Sequence, residues 1–179
     1  MSDIKHRCLK FLTTLPVLLF IAIFASVSLA YTITGTVTRV LDGDTFHLLP
    51  ESGIPQNVKV HKDGTISVRL RGIDAPEKRQ PYGQEAKESL KSLIGGKIIK
   101  VEVKDIDRYG RIAGYVFVDG INVNLKQVER GFAWAYTEYL DRPYASEFYN
   151  AEKEARKQNL GLWKQLNPTP PWEWRKRNR

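Results

Sequence analysis

Hydrophobic and polar positions alternate with a period of two along much of the first part of the chain. Thr32 to Val40 alternates β-branched and small residues, which predicts a strand. Asp42-Gly43 is a turn signal, and Thr45 to Leu49 resumes the extended pattern. Pro50 to Asp63 is rich in Gly, Pro, Asn and Ser and reads as a loop or a loosely paired hairpin. Thr65 to Leu70 predicts a strand with Ile66, Val68 and Leu70 on one face and Ser67 and Arg69 on the other. Lys97 to Lys104 sets Ile99, Val101 and Val103 against Lys100, Glu102 and Lys104. Ile112 to Val118 is a further strand, and Asp119-Gly120 turns it into Ile121.

The period changes to that of a helix in three places. Gly83 to Ile94 carries an apolar stripe of Ala86, Leu90, Leu93 and Ile94, stopped by Gly95-Gly96. Val123 to Arg130 is a short helix ended by Gly131. Tyr144 to Gln158 sets Tyr144, Phe148, Ala151 and Ala155 on one face, with Asp141 placed to cap it. Gly161-Leu162-Trp163 closes the compact part, with Trp163 as an anchor for the last helix. Four or five short strands with one helix between the third and fourth predict a small Greek-key barrel with helices packed around it, of a kind that often binds oligonucleotides. On strand count alone a β-sandwich is the rival.

The ends of the chain differ from this middle. Lys5, Arg7 and Lys10 precede an uncharged apolar run, Phe11 to Ala25, and then Ser28-Leu29-Ala30. That order is that of a secretory signal cleaved after Ala30. The run is short for a bilayer span, so an uncleaved membrane anchor is the lesser reading. The expected organisation is a signal peptide at 1–30, one domain at 31–166 and a basic tail at 167–179. Cleavage removes the single cysteine, Cys8, and leaves a cysteine-free chain suited to an oxidising compartment. The expected location is therefore exported, periplasmic or secreted. In the tail, Trp172 and Trp174 interleave with Arg175, Lys176, Arg177 and Arg179. Either the tail grips nucleic acid or an anionic membrane, or its tryptophans dock it on the barrel with its charges solvated; docking is the preferred reading.

Composition narrows the chemistry. The 179 residues hold 28 Lys and Arg against 20 Asp and Glu, a formal charge of +8, which favours an anionic partner. One Cys excludes an internal disulfide framework and a zinc site of several thiolates. His47 and His61 read as strand or loop residues. Three turn segments concentrate the charge: Asp42-Gly43-Asp44-Thr45, Arg69-Leu70-Arg71-Gly72-Ile73-Asp74-Ala75-Pro76-Glu77, and Asp107-Arg108-Tyr109-Gly110-Arg111. Each alone reads as turn chemistry, capping or a solvated face. Together they offer what phosphodiester cleavage needs. Asp44 and Asp74, meeting at the ends of adjacent strands, form an oxygen site for Ca²⁺ or Mg²⁺ rather than zinc. Glu77 is placed to face an attacking water, and Arg69 and Arg111 supply planar donors for phosphate oxygens.

These segments, with the Asp119-Gly120 hairpin, Val128-Glu129-Arg130-Gly131 and Leu160-Gly161-Leu162-Trp163, resemble the staphylococcal nuclease family over roughly Thr36 to Trp163. The resemblance implies an α+β fold, a five-stranded OB-type barrel with three helices, and Ca²⁺-dependent hydrolysis of DNA and RNA, with Mg²⁺ as the other candidate ion. It implies metal ligation by Asp44, Asp74 and the main-chain carbonyl of Ala75, with Asp42 behind them. Glu77 matches the residue that orients or deprotonates water. Arg69 and Arg111 match the pair that stabilises the transition state. Arg111 is the candidate to assist the leaving 5′ oxygen, so products should end in 3′-phosphate. Tyr109 matches a nucleotide contact, Arg108 stands where a prototype lysine lies beside the site, and Tyr139, with Tyr136 nearby, is the candidate second tyrosine. The loop around Lys104 to Asp107 is shorter than the prototype's, and Leu49 to Thr65 is built differently. No obligate protein partner is expected, and the membrane enters only if the signal is retained. The alternative is a noncatalytic module on the same barrel that binds single-stranded nucleic acid.

Overall fold

The computed structural model describes residues 31–51 and 53–178. The expected signal segment 1–30 lies outside them, as does Arg179. Five main strands, β1 (Thr32–Val40), β2 (Thr45–Pro50), β3 (Ile66–Leu70), β5 (Ile98–Ile106) and β6 (Ile112–Val118), are ordered β3-β2-β1-β5-β6. A parallel pairing of β3 with β6, Val68 opposite Ile112 through Leu70 opposite Gly114, closes them into a barrel rather than a sandwich. The short strand β4 (Ile73–Asp74) pairs with β8 (Trp134–Ala135) beside the barrel, and β7 (Ile121–Asn122) extends β6.

Alternation survives along these strands except where closure breaks it. In β1 the buried positions are Ile33, Gly35 and Val37, then Val40. The change of parity falls at a register shift between Val37 and Arg39, a bulge that bends the strand around the barrel. A second shift in β5, between Val103 and Asp105, lets Asp105 and Ile106 go on pairing with β6. The strand therefore ends two residues beyond the expected Lys104.

Helix α1 (Gly83–Ile94) buries Ala86, Leu90 and Ile94, as its stripe predicts. Helix α2 (Val123–Glu129) and helix α3 (Arg142–Lys157) add Val128 and Phe148 to the same core as Phe46, Leu48, Ile66, Leu70, Ile99 and Tyr115. Each such aliphatic or aromatic side chain contributes about 1.5–3 kcal/mol relative to exposure. Asp141 stands at the N-cap of α3, but its side chain does not cap the helix. Its oxygens instead accept from Arg71 Nε and Nη2 at 3.1 and 3.2 Å. A two-point ionic pair outweighs one cap bond to a neutral amide.

The fourth helix, α4 (Pro171–Arg177), lies in the tail. Trp172 stacks on Tyr136 at 5.4 Å and 8°, and meets Trp134 edge-on at 6.4 Å. Gln80 Nε2 donates to Thr169 O at 2.6 Å, and Pro171 is buried. The tail is thus docked by its tryptophan, but its charges are not all solvated as expected: Arg175 is drawn into the site described below. Trp163 packs edge-on against Trp134 at 5.0 Å, in a small second core with Leu162 and Ala155. Among the described residues no helix is long and apolar enough to cross a membrane.

Two buried amides on α2 hold the turns that carry the charged motifs. Asn124 donates to Arg71 O and Gly114 O and accepts from Val116 N. Gln127 donates to Gly43 O and Ala86 O and accepts from Ser89 Oγ. With every partner satisfied, these side chains fix the loops rather than penalise burial. Gly43 is clamped closely enough that a Cβ would lie 2.6 Å from Ala75 Cβ and 2.7 Å from Ala86 Cβ. Gly43→Ala is expected to cost about 1–3 kcal/mol, the usual price of overpacking. Urea unfolding measures it; an unchanged midpoint would mean that the turn can yield.

Candidate active site

The β1–β2 turn, the β3–β4 corner and the β5–β6 loop open on one cleft of about 470 Å³. Asp42, Asp44, Arg69, Ala75, Glu77, Arg108, Tyr109, Arg111 and Tyr139 line it together, although they come from distant parts of the chain. Asp74 lies behind this lining, bonded to Arg69, with none of its side chain exposed.

The turn after β1 builds the first carboxylates. Asp42 accepts the Asp44 amide at 3.0 Å, which folds the loop back and brings both side chains to the same end of the barrel. Asp44 Oδ1 accepts from Thr45 Oγ1 at 2.8 Å, and its Oδ2 accepts the Ala75 amide at 2.9 Å. Arg69 projects from β3 between the two buried aspartates. Its Nη1 donates to Asp44 Oδ1 at 2.5 Å and its Nη2 to Asp74 Oδ1 at 2.8 Å. Register explains this reach, because Arg69 is paired with Thr45 on one side and Ala113 on the other. Burial works against the Arg69 charge, but Asp44 and then Asp74 outweigh it and hold its pKa above the ordinary value.

Negative charge is nonetheless in excess here. Burial, then the neighbouring Asp44, pushes the Asp42 carboxyl up to about 7. Burial also raises Asp74, with the Arg175 hydrogen bond opposing it and the Asp44 charge reinforcing it. Buried carboxylates raised in this way are what a bound cation would relieve. Among the described residues no group of three or more His, Cys, Asp or Glu forms a closed metal cage. Two carboxylates with main-chain oxygen and water suit a hard ion such as Ca²⁺ or Mg²⁺, which keeps part of its hydration, and not zinc. The residues therefore fit the ion the sequence suggests.

Glu77 stands at the rim, its amide tied to Gln80 Oε1 at 3.1 Å. Arg111 lines the same cleft, but its Nε is bonded to Asp107 Oδ2 at 2.7 Å. Asp107 also accepts the Tyr109 and Arg111 amides and so organises the whole loop. Burial would raise the Asp107 carboxyl, but these amide bonds and the Arg111 contact hold it below its usual range. In the sequence, a short acid-to-arginine turn is the only signal of Asp107's part in the loop. Tyr109 is exposed, with the Arg108 guanidinium 4.9 Å from its ring centroid and bonded to its hydroxyl. Tyr139, which also lines the cleft, pairs with Tyr136 at 5.0 Å.

One side chain in the cleft was not expected to reach it. Arg175, on α4, donates from Nη1 to Glu77 Oε1 at 2.7 Å and to Asp74 Oδ1 at 3.1 Å. Its Nη2 donates to Asp74 Oδ2 at 2.8 Å. The Asp74 bond, against the opposing effect of burial, holds its pKa above the ordinary arginine value. The basic run containing it was legible, but its target carboxylates lie 98 and 101 positions away.

A closed OB-type barrel whose open end presents buried carboxylates, arginines and a rim glutamate defines a class, the barrel nucleases that hydrolyse phosphodiesters. Comparison with known proteins makes the assignment particular. The family model described as "Staphylococcal nuclease homologue" matches residues 67–165. A protein of Escherichia coli named as an uncharacterized endonuclease is 42% identical over 164 residues, 91% of this chain and 97% of that one. A micrococcal nuclease of Shigella flexneri is 40% identical over 151 residues, 79% of this chain and 80% of its own. A probable staphylococcal-like nuclease of Oryza sativa subsp. japonica is 47% identical over 112 residues, 63% of this chain but 33% of its own. The chain belongs to the staphylococcal nuclease family.

Proposed function

We propose that the protein is an exported, calcium-dependent nuclease that cuts DNA and RNA with little regard for base sequence and leaves 3′-phosphate ends. The observation that carries this reading is the convergence of Asp44, Asp74, Glu77 and Arg69 at one end of the barrel, in a cleft flanked by Arg111 and tyrosines. Asp44, Asp74 and the Ala75 carbonyl would hold the ion, with Asp42 behind them. When bound, it balances charge on the attacked phosphate. Arg69 and Arg111 grip phosphate oxygens, and charge that grows on them in the transition state strengthens those bonds. Glu77 orients the attacking water and accepts its proton. The water oxygen bonds to phosphorus, the bond to the 5′ oxygen breaks, and Arg111 stabilises the charge on that oxygen as it departs and takes up a proton from solvent water. The products are a 3′-phosphate and a 5′-hydroxyl. Tyr109, Tyr139 and Arg108 hold bases and backbone without reading base edges, which accounts for weak selectivity. Export rests on the composition of residues 1–30.

The test is cleavage of end-labelled single-stranded DNA and RNA with Ca²⁺, Mg²⁺ or chelator, reading both rate and end chemistry. Calcium-dependent cutting to 3′-phosphate is expected. Binding without cutting under all three conditions would make the protein a noncatalytic module; 5′-phosphate ends would remove Arg111 from its role. Substrate affinity should also fall steeply as salt rises, because lysines and arginines that pair with phosphates release the counterions condensed there. A flat salt response would contradict that binding mode.

A further inference from the structure

The C-terminal helix delivers a cation to the carboxylates assigned to the divalent ion. The two terminal nitrogens of Arg175 engage both oxygens of Asp74, and one of them also engages Glu77. Asp74 Oδ1 is also held by Arg69, so neither oxygen of Asp74 is without a hydrogen-bond donor. Oδ1 thus has both acceptor sites taken and Oδ2 one of its two, so an ion arriving at Asp74 meets a carboxylate whose charge is already paired with guanidinium groups. The two arginines differ in how readily they can leave. Arg69 is fixed in β3 between two paired strands. Arg175 rides on a seven-residue helix joined to the barrel through Asn167-Pro168-Thr169-Pro170, held chiefly by Trp172 on Tyr136 and by Gln80.

We propose that Arg175 is an internal counter-cation of the active site: it occupies Asp74 and Glu77 in the metal-free protein, and the divalent ion binds in competition with it. The C-terminal helix thereby sets the metal affinity of the enzyme and covers Glu77 until the ion arrives. A divalent ion on Asp74 repels both guanidinium groups there; Arg69 is fixed in its strand, so the one that yields is Arg175. Release of Arg175 also frees Glu77 to meet water. The argument rests on the reading of Asp44 and Asp74 as the ion site.

The test measures Ca²⁺ binding by calorimetry, without substrate, on the wild-type protein, Arg175→Gln, Trp172→Ala and Asp74→Asn. Thermal melts in chelator establish that each is folded. Arg175→Gln is expected to bind Ca²⁺ about tenfold more tightly or better, the weight of one or two charge-assisted hydrogen bonds. Trp172→Ala, which keeps the arginine but loosens its helix, should shift affinity in the same direction. In the wild type, amide hydrogen exchange over 171–177 should speed up when Ca²⁺ is added. If the wild type binds Ca²⁺ with Asp74→Asn defective, but Arg175→Gln binds no tighter, the competition is refuted and the ion site stands. If Ca²⁺ leaves the protection of 171–177 unchanged, or Arg175→Gln binds more weakly, Arg175 works alongside the ion and the proposal falls. If none of the four proteins binds Ca²⁺, the ion site and the proposal fall together.

Discussion

Glu77→Gln is expected to lower the turnover of nucleic-acid cleavage by about 10²-fold or more, the usual worth of a positioned general base. The side chain is half-exposed at the rim of the cleft, where it accepts a hydrogen bond from Arg175 at 2.7 Å. An amide oxygen still accepts that bond, so the fold loses little; both partners are more than a third exposed, and such pairs contribute less than about 1 kcal/mol. Gln preserves size and shape but is a far weaker base for a proton. The loss should therefore appear in kcat, while the affinity for DNA in the absence of turnover stays near that of the wild type. Near-normal kcat in a folded variant would take Glu77 out of the mechanism. A rise in KM with kcat intact would recast it as a binding residue.

Why Glu77 was legible and Arg175 was not is a matter of distance along the chain. Asp42, Asp44, Arg69, Asp74 and Glu77 lie in two short segments whose strands, β2 and β3, are hydrogen-bonded neighbours. Once Thr45 and Arg69 are paired, the charged ends of both segments meet with no further information. The alternation of Ile66, Val68 and Leu70 with Ser67 and Arg69 already states which face the arginine takes. The barrel's closure is less local. No pattern in the chain states that Val68 faces Ile112 in parallel, and the two bulges that bend β1 and β5 appear only as small failures of alternation near Arg39 and Lys104. Asp141 shows the same limit. Its position before a helix advertises a cap, but Arg71, 70 residues away, takes the carboxylate. Short-range signals name the element, and the long-range partner decides what the side chain does. Arg175 is the extreme case, since a basic tail is the ordinary look of solvated charge and only the docking of Trp172 turns it toward Asp74.

Arg69 separates charge from geometry in the site, and two substitutions should behave differently. It bridges Asp44 and Asp74, whose side chains are 3% and 0% exposed, while its own is 25% exposed. Arg69→Ala leaves two buried carboxylates with one cation fewer. Asp44 keeps Thr45 Oγ1 and the Ala75 amide, and Asp74 keeps Arg175, so the cost should fall near the lower end for a broken buried pair, about 3 kcal/mol in the metal-free protein. That cost should grow with pH. Asp42 and Asp74 already sit above the ordinary carboxylate value, and removing Arg69, which lowers both, raises them further. A carboxyl with a raised folded-state pKa favours the fold below its unfolded value of about 4 and loses that advantage as pH climbs toward the folded value. Urea unfolding in chelator should show Arg69→Ala losing more stability at about pH 8 than at about pH 5, because Asp42, its carboxyl pushed up to about 7, gains its charge between those values. Arg69→Lys restores the charge but not the fork, since one ammonium cannot repeat the two parallel contacts. It should recover much of the stability yet cleave about 10²–10³-fold more slowly, as expected when an oriented donor to the developing charge is lost. Full cleavage by Arg69→Lys would reduce Arg69 to a counter-charge. An Arg69→Ala penalty equal at both pH values would mean that removing Arg69 moves no carboxyl of the site across that range, and the coupling between Arg69 and the raised aspartates would be refuted.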